Sequence, residues 1–190
     1  MGKVVLHFSM SLDGYVAGPA VDMECPMGQG GERLHEWLFS EARSDADIES
    51  ARDMRANAGA VVLGKRTFDV GIGLWKDTPY AAPCFVVTHT ARNDLVQENG
   101  TFVFVTDGIE SAVRQAQGVA GDKDVVIMGA RTAQQALGAG LVEIINLQLV
   151  PILLGCGSRL FEPDAGCRDL ECTRVVESPL VTHLRYRVVR

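Results

Sequence analysis

The chain has 190 residues, of which 47% are hydrophobic and 22% charged, and this is the composition of an ordinary globular protein. Its formal net charge of −6 argues against a nucleic-acid partner, because domains that bind nucleic acids usually carry a basic face. No apolar run reaches the ~18 residues that a membrane span needs, so we expect no membrane partner.

Hydrophobic periodicity and turn residues predict alternating strands and helices through residue 140. The predicted strands cover residues 3–10, 60–64, 84–89, 101–107 and 124–129. The predicted helices cover residues 32–39, 44–59, 109–120 and 131–140, and a shorter one begins at residue 65. Residues 11–31 are rich in turn residues and predict a long loop, which in a compact domain is usually functional. This alternation predicts a mainly parallel sheet.

The C-terminal part of the chain is predicted to lack helices. Residues 141–155 predict one long strand, and residues 167–178 and 181–190 predict a hairpin with its turn at Pro179 and Leu180. Strands that follow one another directly favour antiparallel pairing, so the sheet is expected to be mixed. The sequence shows no linker, repeat or low-complexity segment, and it predicts a single α/β domain over residues 1–190.

The cysteines and histidines do not indicate a metal site. The five cysteines are odd in number and none forms a C-x-x-C pair, while the four histidines are scattered without ligand spacing. We therefore expect reduced thiols, a cytoplasmic location and no bound metal.

Four of the predicted strand ends are candidate ligand sites, because open α/β proteins bind ligands beyond the carboxyl ends of their strands. Two of these segments lead directly into a predicted helix, whose first amides lack intrahelical partners and lie at the positive end of the helix dipole. Phosphate binds readily at such a helix start. A single glycine after a strand is often only a turn residue. Because suitable segments recur at several strand ends, they predict a ligand with separated phosphates, such as a dinucleotide. The four segments are residues 9–14, 64–67, 88–89 and 129–132.

Other catalytic signatures are missing from the sequence. The segment GQGGER at residues 28–33 is not a G-x-G-x-x-G motif after a strand, so the usual Rossmann fingerprint is absent. The sequence also contains no P-loop, no G-x-S-x-G elbow and no zinc-deaminase motif.

Five segments together carry a resemblance to a known family: SMSLDGYVAG (9–18), VVLGKRTFD (61–69), VVTH (86–89), VIMGARTAQQAL (126–137) and GLVEIINLQLVPILLGCGSRLF (140–161). They resemble the dihydrofolate reductase-like superfamily, and most closely the C-terminal reductase domain of the bifunctional riboflavin-biosynthesis deaminase–reductase. The resemblance implies a three-layer α/β fold with a mixed, mostly parallel central sheet, helices on both faces and a C-terminal antiparallel hairpin. It also implies an NADPH cofactor, with NADH as the alternative.

The resemblance assigns cofactor contacts to particular residues. Those implied for the nicotinamide are Ser9, Val16 and Ala17. The residues implied to contact the pyrophosphate and the adenosine end are Gly64, Lys65, Arg66 and Thr67. The residues implied to lie by the adenosine ribose and its 2′-phosphate are Thr88 and His89. Those implied for the pyrophosphate at a helix start are Gly129, Ala130, Arg131, Thr132 and Ala133.

Two of these positions depart from the family pattern. Dihydrofolate reductases have a cis Gly-Gly bond where this chain has Gly129 and Ala130. A cis bond here would indicate a cofactor site built as in the family, whereas a trans bond would weaken the expected cofactor geometry and the expectation of turnover. His89 stands where arginine or serine is common, and a neutral histidine would hold a 2′-phosphate weakly. The choice between NADPH and NADH therefore stays open.

The substrate end is less well marked. Candidate proton sources are Asp13 in the first loop and Glu49 on the second helix, and each has the alternative of a turn residue or a solvated charge. The family's buried, substrate-binding carboxylate falls near Glu49 or Asp53. Trp37 is either an aromatic wall for a planar heterocycle or a core or interface residue. The other residues assigned to the substrate pocket are Leu149, Gly155 and Gly157.

The function implied by these residues is an NAD(P)H-dependent reduction of a pteridine-, flavin- or aminopyrimidine-like small molecule. The alternative is a nucleotide- or metabolite-binding protein on the same fold without catalytic turnover. A homodimer is implied by the resemblance.

Overall fold

The computed structural model describes residues 2–162 and 166–189. Its strands are β1 (Val4–Ser11), β2 (Tyr15–Ala17), β3 (Ala58–Gly64), β4 (Cys84–Val87), β5 (Leu95–Val96), β6 (Thr101–Val105), β7 (Asp124–Met128), β8 (Ile144–Val150), β9 (Ser158–Arg159), β10 (Leu170–Glu177) and β11 (Thr182–Val188). Its α-helices are α1 (Glu36–Phe39), α2 (Asp45–Ala56), α3 (Lys65–Trp75), α4 (Ile109–Ala120) and α5 (Ala130–Gly138). Short 3₁₀ helices cover Gly31–His35 and Pro79–Ala81.

The chain forms two compact units. Unit 1 contains the residues up to Val5 together with Asn57–Val142. Unit 2 contains Leu6–Ala56 together with the residues from Glu143 onward. The single domain over residues 1–190 stays a prediction.

Unit 1 is built on parallel strands in the order β7-β3-β4-β6-β5. Strand β3 pairs in parallel with both β4 and β7, β4 pairs in parallel with β6, and the short edge strand β5 is antiparallel. The central residues of β3, Val61 to Leu63, are 0% exposed, because a central parallel strand is covered on both faces. The predicted parallel α/β arrangement is therefore confirmed.

The helices of unit 1 follow its strands. In α4 the residues Ala112, Val113, Ala116 and Ala120 are buried, which is the spacing of one face of an α-helix. In α3 Phe68 packs edge-to-face on Phe102 of β6, with 5.0 Å between the ring centroids. These contacts position the start of each helix next to the end of the preceding strand.

Unit 2 contains antiparallel strands. Strand β11 pairs antiparallel with both β8 and β10, and the strand order is β10-β11-β8-β1. The predicted C-terminal hairpin is thus confirmed, and so is the mixed character of the sheet. A separate two-stranded antiparallel pair joins β2 to β9.

Two of the predicted element boundaries that differ from the structure have a clear physical reason. The long strand at residues 141–155 is only the seven-residue β8, which ends before Pro151, because proline has no N–H to donate to a neighbouring strand. Gly59 does not stop the second helix, which ends at Ala56, but lies inside β3. A Cβ atom on Gly59 would lie 2.6 Å from the carbonyl oxygen of Ala120, so close packing explains this glycine.

Candidate functional site

Two strand-to-helix junctions lie side by side in unit 1. Strand β3 ends at Gly64 and continues into α3, and β7 ends just before Gly129, which precedes α5. The two strands are parallel neighbours, with Leu63 paired to Met128, so the two helices begin at the same edge of the sheet. Both junctions have the sequence Gly-x-Arg-Thr, at residues 64–67 and 129–132.

The threonine of each junction lies against the glycine of the other. Gly129 has a φ of +88°, and a Cβ atom there would collide with the hydroxyl of Thr67. A Cβ atom on Gly64 would lie 2.8 Å from Oγ1 of Thr132. Neither glycine can supply a side-chain cap, so the first amides of α3 and α5 are left for another acceptor. An anion with two phosphate groups fits this pair of helix starts.

The cations of the two junctions differ in their surroundings. Arg66 and Arg131 are exposed. Lys65 is half-buried and donates to both carboxylate oxygens of Asp69 one turn later, at 2.6 and 2.5 Å. A phosphate at this helix start would therefore compete with Asp69 for the ammonium group of Lys65.

A third strand end lies at the same edge, because Val87 at the end of β4 is paired with Gly64. The next residue, Thr88, is buried, and its Oγ1 accepts a hydrogen bond from the amide of Thr90 at 3.1 Å. His89 is exposed. The structure brings together here all the residues that the sequence assigned to the phosphates and the adenosine: Gly64, Lys65, Arg66, Thr67, Thr88, His89, Gly129, Ala130, Arg131, Thr132 and Ala133.

Arg92 was missed by the sequence reasoning. It follows the third strand end, and its guanidinium lies 4.5 Å from the ring centroid of Phe104 and 5.6 Å from that of Phe68. These aromatic residues come from β6 and α3, so no local sequence signal could have identified the stacking. The stacking fixes a cation in the same loop as Thr88 and His89.

The bond between Gly129 and Ala130 is trans, because no cis peptide bond occurs in the part of the chain that the structure describes. The turn therefore differs at this bond from the cis Gly-Gly turn of dihydrofolate reductases, which is the outcome that counts against a cofactor geometry and turnover like theirs. A cis bond before a residue other than proline costs about 2.5–4 kcal/mol, and alanine also carries a Cβ atom that glycine lacks.

In unit 2, Asp13 anchors the loop that follows β8. Its carboxylate accepts hydrogen bonds from Ser11 Oγ at 2.6 Å, from the amide of Gly155 at 2.7 Å and from the amide of Leu154 at 3.1 Å. The hydrogen bond from Ser11, together with those two amides, lowers the pKa of Asp13 to about 2. An ionised carboxylate at neutral pH has no proton to donate, so this geometry favours a structural role over the predicted catalytic one.

A buried polar chain in unit 2 connects four side chains from different elements. Nε2 of His183 on β11 lies 2.7 Å from Oδ1 of Asp47 on α2, and both residues are buried. The His183 ring meets Trp37 edge-to-face, with 5.2 Å between centroids. Trp37 Nε1 in turn donates to Ser9 Oγ at 2.9 Å. We call these four residues the Asp47–Ser9 chain.

The buried carboxylate of α2 is Asp47, and the expectation that it is Glu49 or Asp53 was wrong. Asp47 is 1% exposed. The side chains of Glu49 and Asp53 are 50% and 45% exposed and lie near Arg174 and Arg52, which are solvated partners. Ser44-x-x-Asp47 fits the capping-box pattern, which indicates a helix start in the sequence but does not show that Asp47 is buried.

The capping box explains part of the environment of Asp47. The backbone N–H and the hydroxyl of Ser44 both donate to Oδ2 of Asp47, at 2.8 and 3.0 Å. Burial alone would raise the pKa of Asp47, but the hydrogen bonds from His183 and Ser44 outweigh it and hold the pKa below its ordinary value. Asp47 is therefore ionised at neutral pH.

Other predicted residues of unit 2 lie around the same loops. Val16 is buried, and Ala17 pairs with Ser158 across the β2–β9 ladder. Gly157 has a φ of +134°, and a Cβ atom there would collide with the carbonyl oxygen of Ala17, so only glycine permits this approach. Leu149 is half-buried on β8 opposite Thr182. The loop after β8 is thus held against the loop after β1.

Within residues 2–162 and 166–189 no group of histidine, cysteine, aspartate or glutamate side chains could hold a metal ion. No helix in these same ranges is long and apolar enough to cross a membrane.

A mixed α/β sheet with paired glycine-containing helix starts is typical of proteins that bind phosphate-bearing ligands. The chain belongs to the RibD C-terminal domain family, whose model matches residues 2–183. No curated protein matches the sequence.

Several solved structures share the fold. A protein described as a riboflavin biosynthesis protein from Shewanella sp. PV-4 is 23% identical over the whole of both chains, with a TM-score of 0.70. The diaminohydroxyphosphoribosylaminopyrimidine deaminase/5-amino-6-(5-phosphoribosylamino)uracil reductase of Thermotoga maritima is 15% identical, with a TM-score of 0.65. The match covers 99% of this chain and 57% of that one.

Dihydrofolate reductase from Enterococcus faecalis, in a complex with NADP(H) and RAB-propyl, is 15% identical with a TM-score of 0.59. That match covers 98% of this chain and 96% of that one. The dihydrofolate reductase-like fold expected from the sequence is therefore confirmed.

Proposed function

We propose that the protein is an NAD(P)H-dependent reductase of a pyrimidine-, pteridine- or flavin-like heterocycle. The observation that carries the proposal is the pair of interlocked Gly-x-Arg-Thr junctions, which present two helix starts at one edge of the sheet. Family membership supports the same conclusion, because the relatives include a uracil reductase and a dihydrofolate reductase in a complex with NADP(H).

In this proposal the first amides of α3 and α5 bind the pyrophosphate, with Arg66 and Arg131 as charged donors. Thr88, His89 and Arg92 belong to the loop that receives the adenosine ribose. A permanently charged guanidinium is a stronger partner for a 2′-phosphate than a neutral imidazole, so Arg92 supports NADPH as the preferred cofactor. The cofactor supplies a hydride when bound, and the protein orients the reactants.

Titration of the full chain with NADPH and NADH tests the cofactor assignment. We expect NADPH to bind with a micromolar dissociation constant. Arg131→Ala should weaken this binding at least about tenfold, because a hydrogen bond to a charged group contributes about 1.5–3 kcal/mol. Arg114→Ala, at an exposed arginine on α4, is the matched control and should bind like the wild type. Binding of neither dinucleotide below millimolar concentration would refute the proposal.

A second candidate is a binding protein without turnover, and the engaged, ionised state of Asp13 is the observation that favours it. The absorbance of NADPH at its nicotinamide band separates the two candidates. Steady consumption in the presence of a panel of oxidised pterins, flavins and aminopyrimidines identifies a reductase. Binding without consumption across that panel supports the second candidate. A homodimer and a cytoplasmic location stay predictions, and sedimentation analysis tests the first of them.

A further inference from the structure

Asn99 and Gly100 lie at the tip of the hairpin that joins β5 to β6 in unit 1. The amide of Gln97 donates to the carbonyl oxygen of Gly100 at 2.8 Å and closes this tip. Among the four asparagines of the chain, Asn99 alone is followed by glycine, and its side chain is exposed. The tip precedes β6, so it lies at the opposite edge of the parallel strands from the proposed phosphate site.

Close packing explains why the residue after Asn99 is a glycine. A Cβ atom on Gly100 would lie 2.8 Å from Oγ1 of Thr78 and 2.9 Å from the carbonyl oxygen of Ala82. Both distances are shorter than the contacts that real Cβ atoms make, so the backbone can approach this closely only without a side chain. Thr78 is 6% exposed and has little room to move away. The Asn-Gly dipeptide is therefore fixed by the fold.

The carboxylate of Asp77 holds Asn99 at two points. Its Oδ1 accepts a hydrogen bond from the backbone amide of Asn99 at 3.2 Å, and its Oδ2 accepts one from the side-chain nitrogen Nδ2. Oδ1 also accepts from the amide of Thr78 at 2.7 Å, which fixes the carboxylate itself. The hydrogen bond from the Asn99 side chain, with smaller effects of these two amides, lowers the pKa of Asp77. Asp77 is therefore an ionised acceptor at neutral pH.

An asparagine that precedes glycine is open to an intramolecular reaction, because no side chain shields the next backbone nitrogen. The nitrogen of Gly100 loses its proton and bonds to Cγ of Asn99, while the bond from Cγ to Nδ2 breaks and ammonia leaves. Water then opens the five-membered succinimide at either carbonyl carbon and leaves aspartate or isoaspartate at position 99. The net reaction is the hydrolysis of one amide, with water as the only reagent.

We propose that Asn99 is a modification site at which Asp77 holds back succinimide formation with Gly100. Ring closure has to move both the side chain and the backbone of Asn99, and the hydrogen bonds to Asp77 oppose both movements. Local opening of the hairpin tip must therefore precede the reaction. The product carries a second carboxylate opposite Asp77, so an attraction is replaced by a repulsion and the tip loses this contact.

Mass spectrometry of the full chain, digested after incubation at neutral pH, measures the conversion of Asn99. Asp77→Ala removes both acceptor oxygens and should accelerate the conversion about 3- to 10-fold, the range for one net hydrogen bond. Asp77→Asn keeps one acceptor oxygen and should accelerate it less. Part of the product should be isoaspartate, because direct hydrolysis of the side-chain amide gives aspartate alone.

The matched control is Asp107→Ala, because Asp107 is exposed and lies beyond the opposite end of β6. It should leave the rate at Asn99 unchanged. Asn93 is an internal control, since it is exposed and precedes aspartate, and it should react more slowly than Asn99 in every variant. In guanidinium chloride the wild type and Asp77→Ala should react equally fast, because the restraint exists only in the folded chain.

The possible results separate the restraint from the reaction itself. Equal rates at Asn99 in the folded wild type and in folded Asp77→Ala overturn the restraint. A folded wild type that reacts as fast as the unfolded chain also overturns it, whatever the variants do. The absence of isoaspartate, or the absence of any conversion of Asn99 in the unfolded chain, overturns the succinimide site.

Discussion

Replacing Gly129 by alanine tests the interlocked junctions most directly. Gly129 combines a φ of +88° with a ψ of +132°, a conformation that residues with a Cβ atom rarely adopt. The added methyl group would also collide with the hydroxyl of Thr67. Both effects act on the folded state alone, so Gly129→Ala should lower the free energy of unfolding.

The magnitude follows from three contributions. A strained backbone conformation of this type costs about 1–3 kcal/mol. Moving the Thr67 side chain off its rotamer costs about 0.5–1.5 kcal/mol. Alanine restricts the unfolded chain more than glycine does, which offsets about 0.4–1 kcal/mol. We therefore expect a net loss of about 2 kcal/mol in the free energy of unfolding.

Urea denaturation of the wild type, Gly129→Ala, Thr67→Ala and the double variant measures this loss and its origin. If the collision is real, the double variant should be more stable than the sum of the single changes implies. The control is Gly118→Ala, at an exposed position inside α4 with no atom within 4 Å of the added Cβ. It should stabilise the protein by about 1 kcal/mol. A Gly129→Ala variant as stable as the wild type would refute the reasoning.

Two further predictions concern acid stability. Burial would raise the pKa of Asp47, but hydrogen bonds from His183 and Ser44 overcome it and hold the pKa below its ordinary value. The ionised Asp47 therefore stabilises the folded protein fully above the ordinary pKa of about 3.9. This stabilisation is lost as the pH falls through the lower pKa of the folded state. Asp47→Asn should therefore cost about 3 kcal/mol in urea denaturation at pH 7 and clearly less at pH 3; an equal cost at both would contradict the assignment. Burial, with a smaller effect of Arg185, lowers the pKa of His7 from 6.5 to about 4. The unfolded chain then binds this proton first, so stability falls by about 3 kcal/mol between pH 6.5 and 4. His7→Phe should remove most of this loss of stability between pH 6.5 and 4. An NMR titration of the His7 ring with a midpoint near pH 6.5 would disprove the lowered pKa.

Much of the fold was accessible from the sequence, because the relevant signals are local. Hydrophobic periodicity and turn residues marked α4 at residues 109–120 with its observed boundaries, and marked the parallel strands of unit 1 to within two residues. The glycines and cations after β3 and β7 were visible for the same reason. The edge strand β5 gave no signal, because two residues are too short for a pattern.

The choice among three acidic residues on α2 needed the tertiary structure. Asp47, Glu49 and Asp53 lie on one predicted helix, and nothing in their immediate neighbours shows which of them is buried. Asp47 is buried where it pairs with His183 of β11, which is 136 residues away along the chain. Only the folding of the chain brings the two residues together.

What the sequence by itself determined is the series of strands, the helices between them and the anion-binding character of two strand ends, since each depends on a few neighbouring residues. The tertiary structure decided that Gly129 meets Thr67, that Arg92 stacks on Phe104, and that Asp13 holds the loop after β8. These contacts join residues that are distant along the chain, and only the pairing and packing of strands and helices brings them within bonding distance.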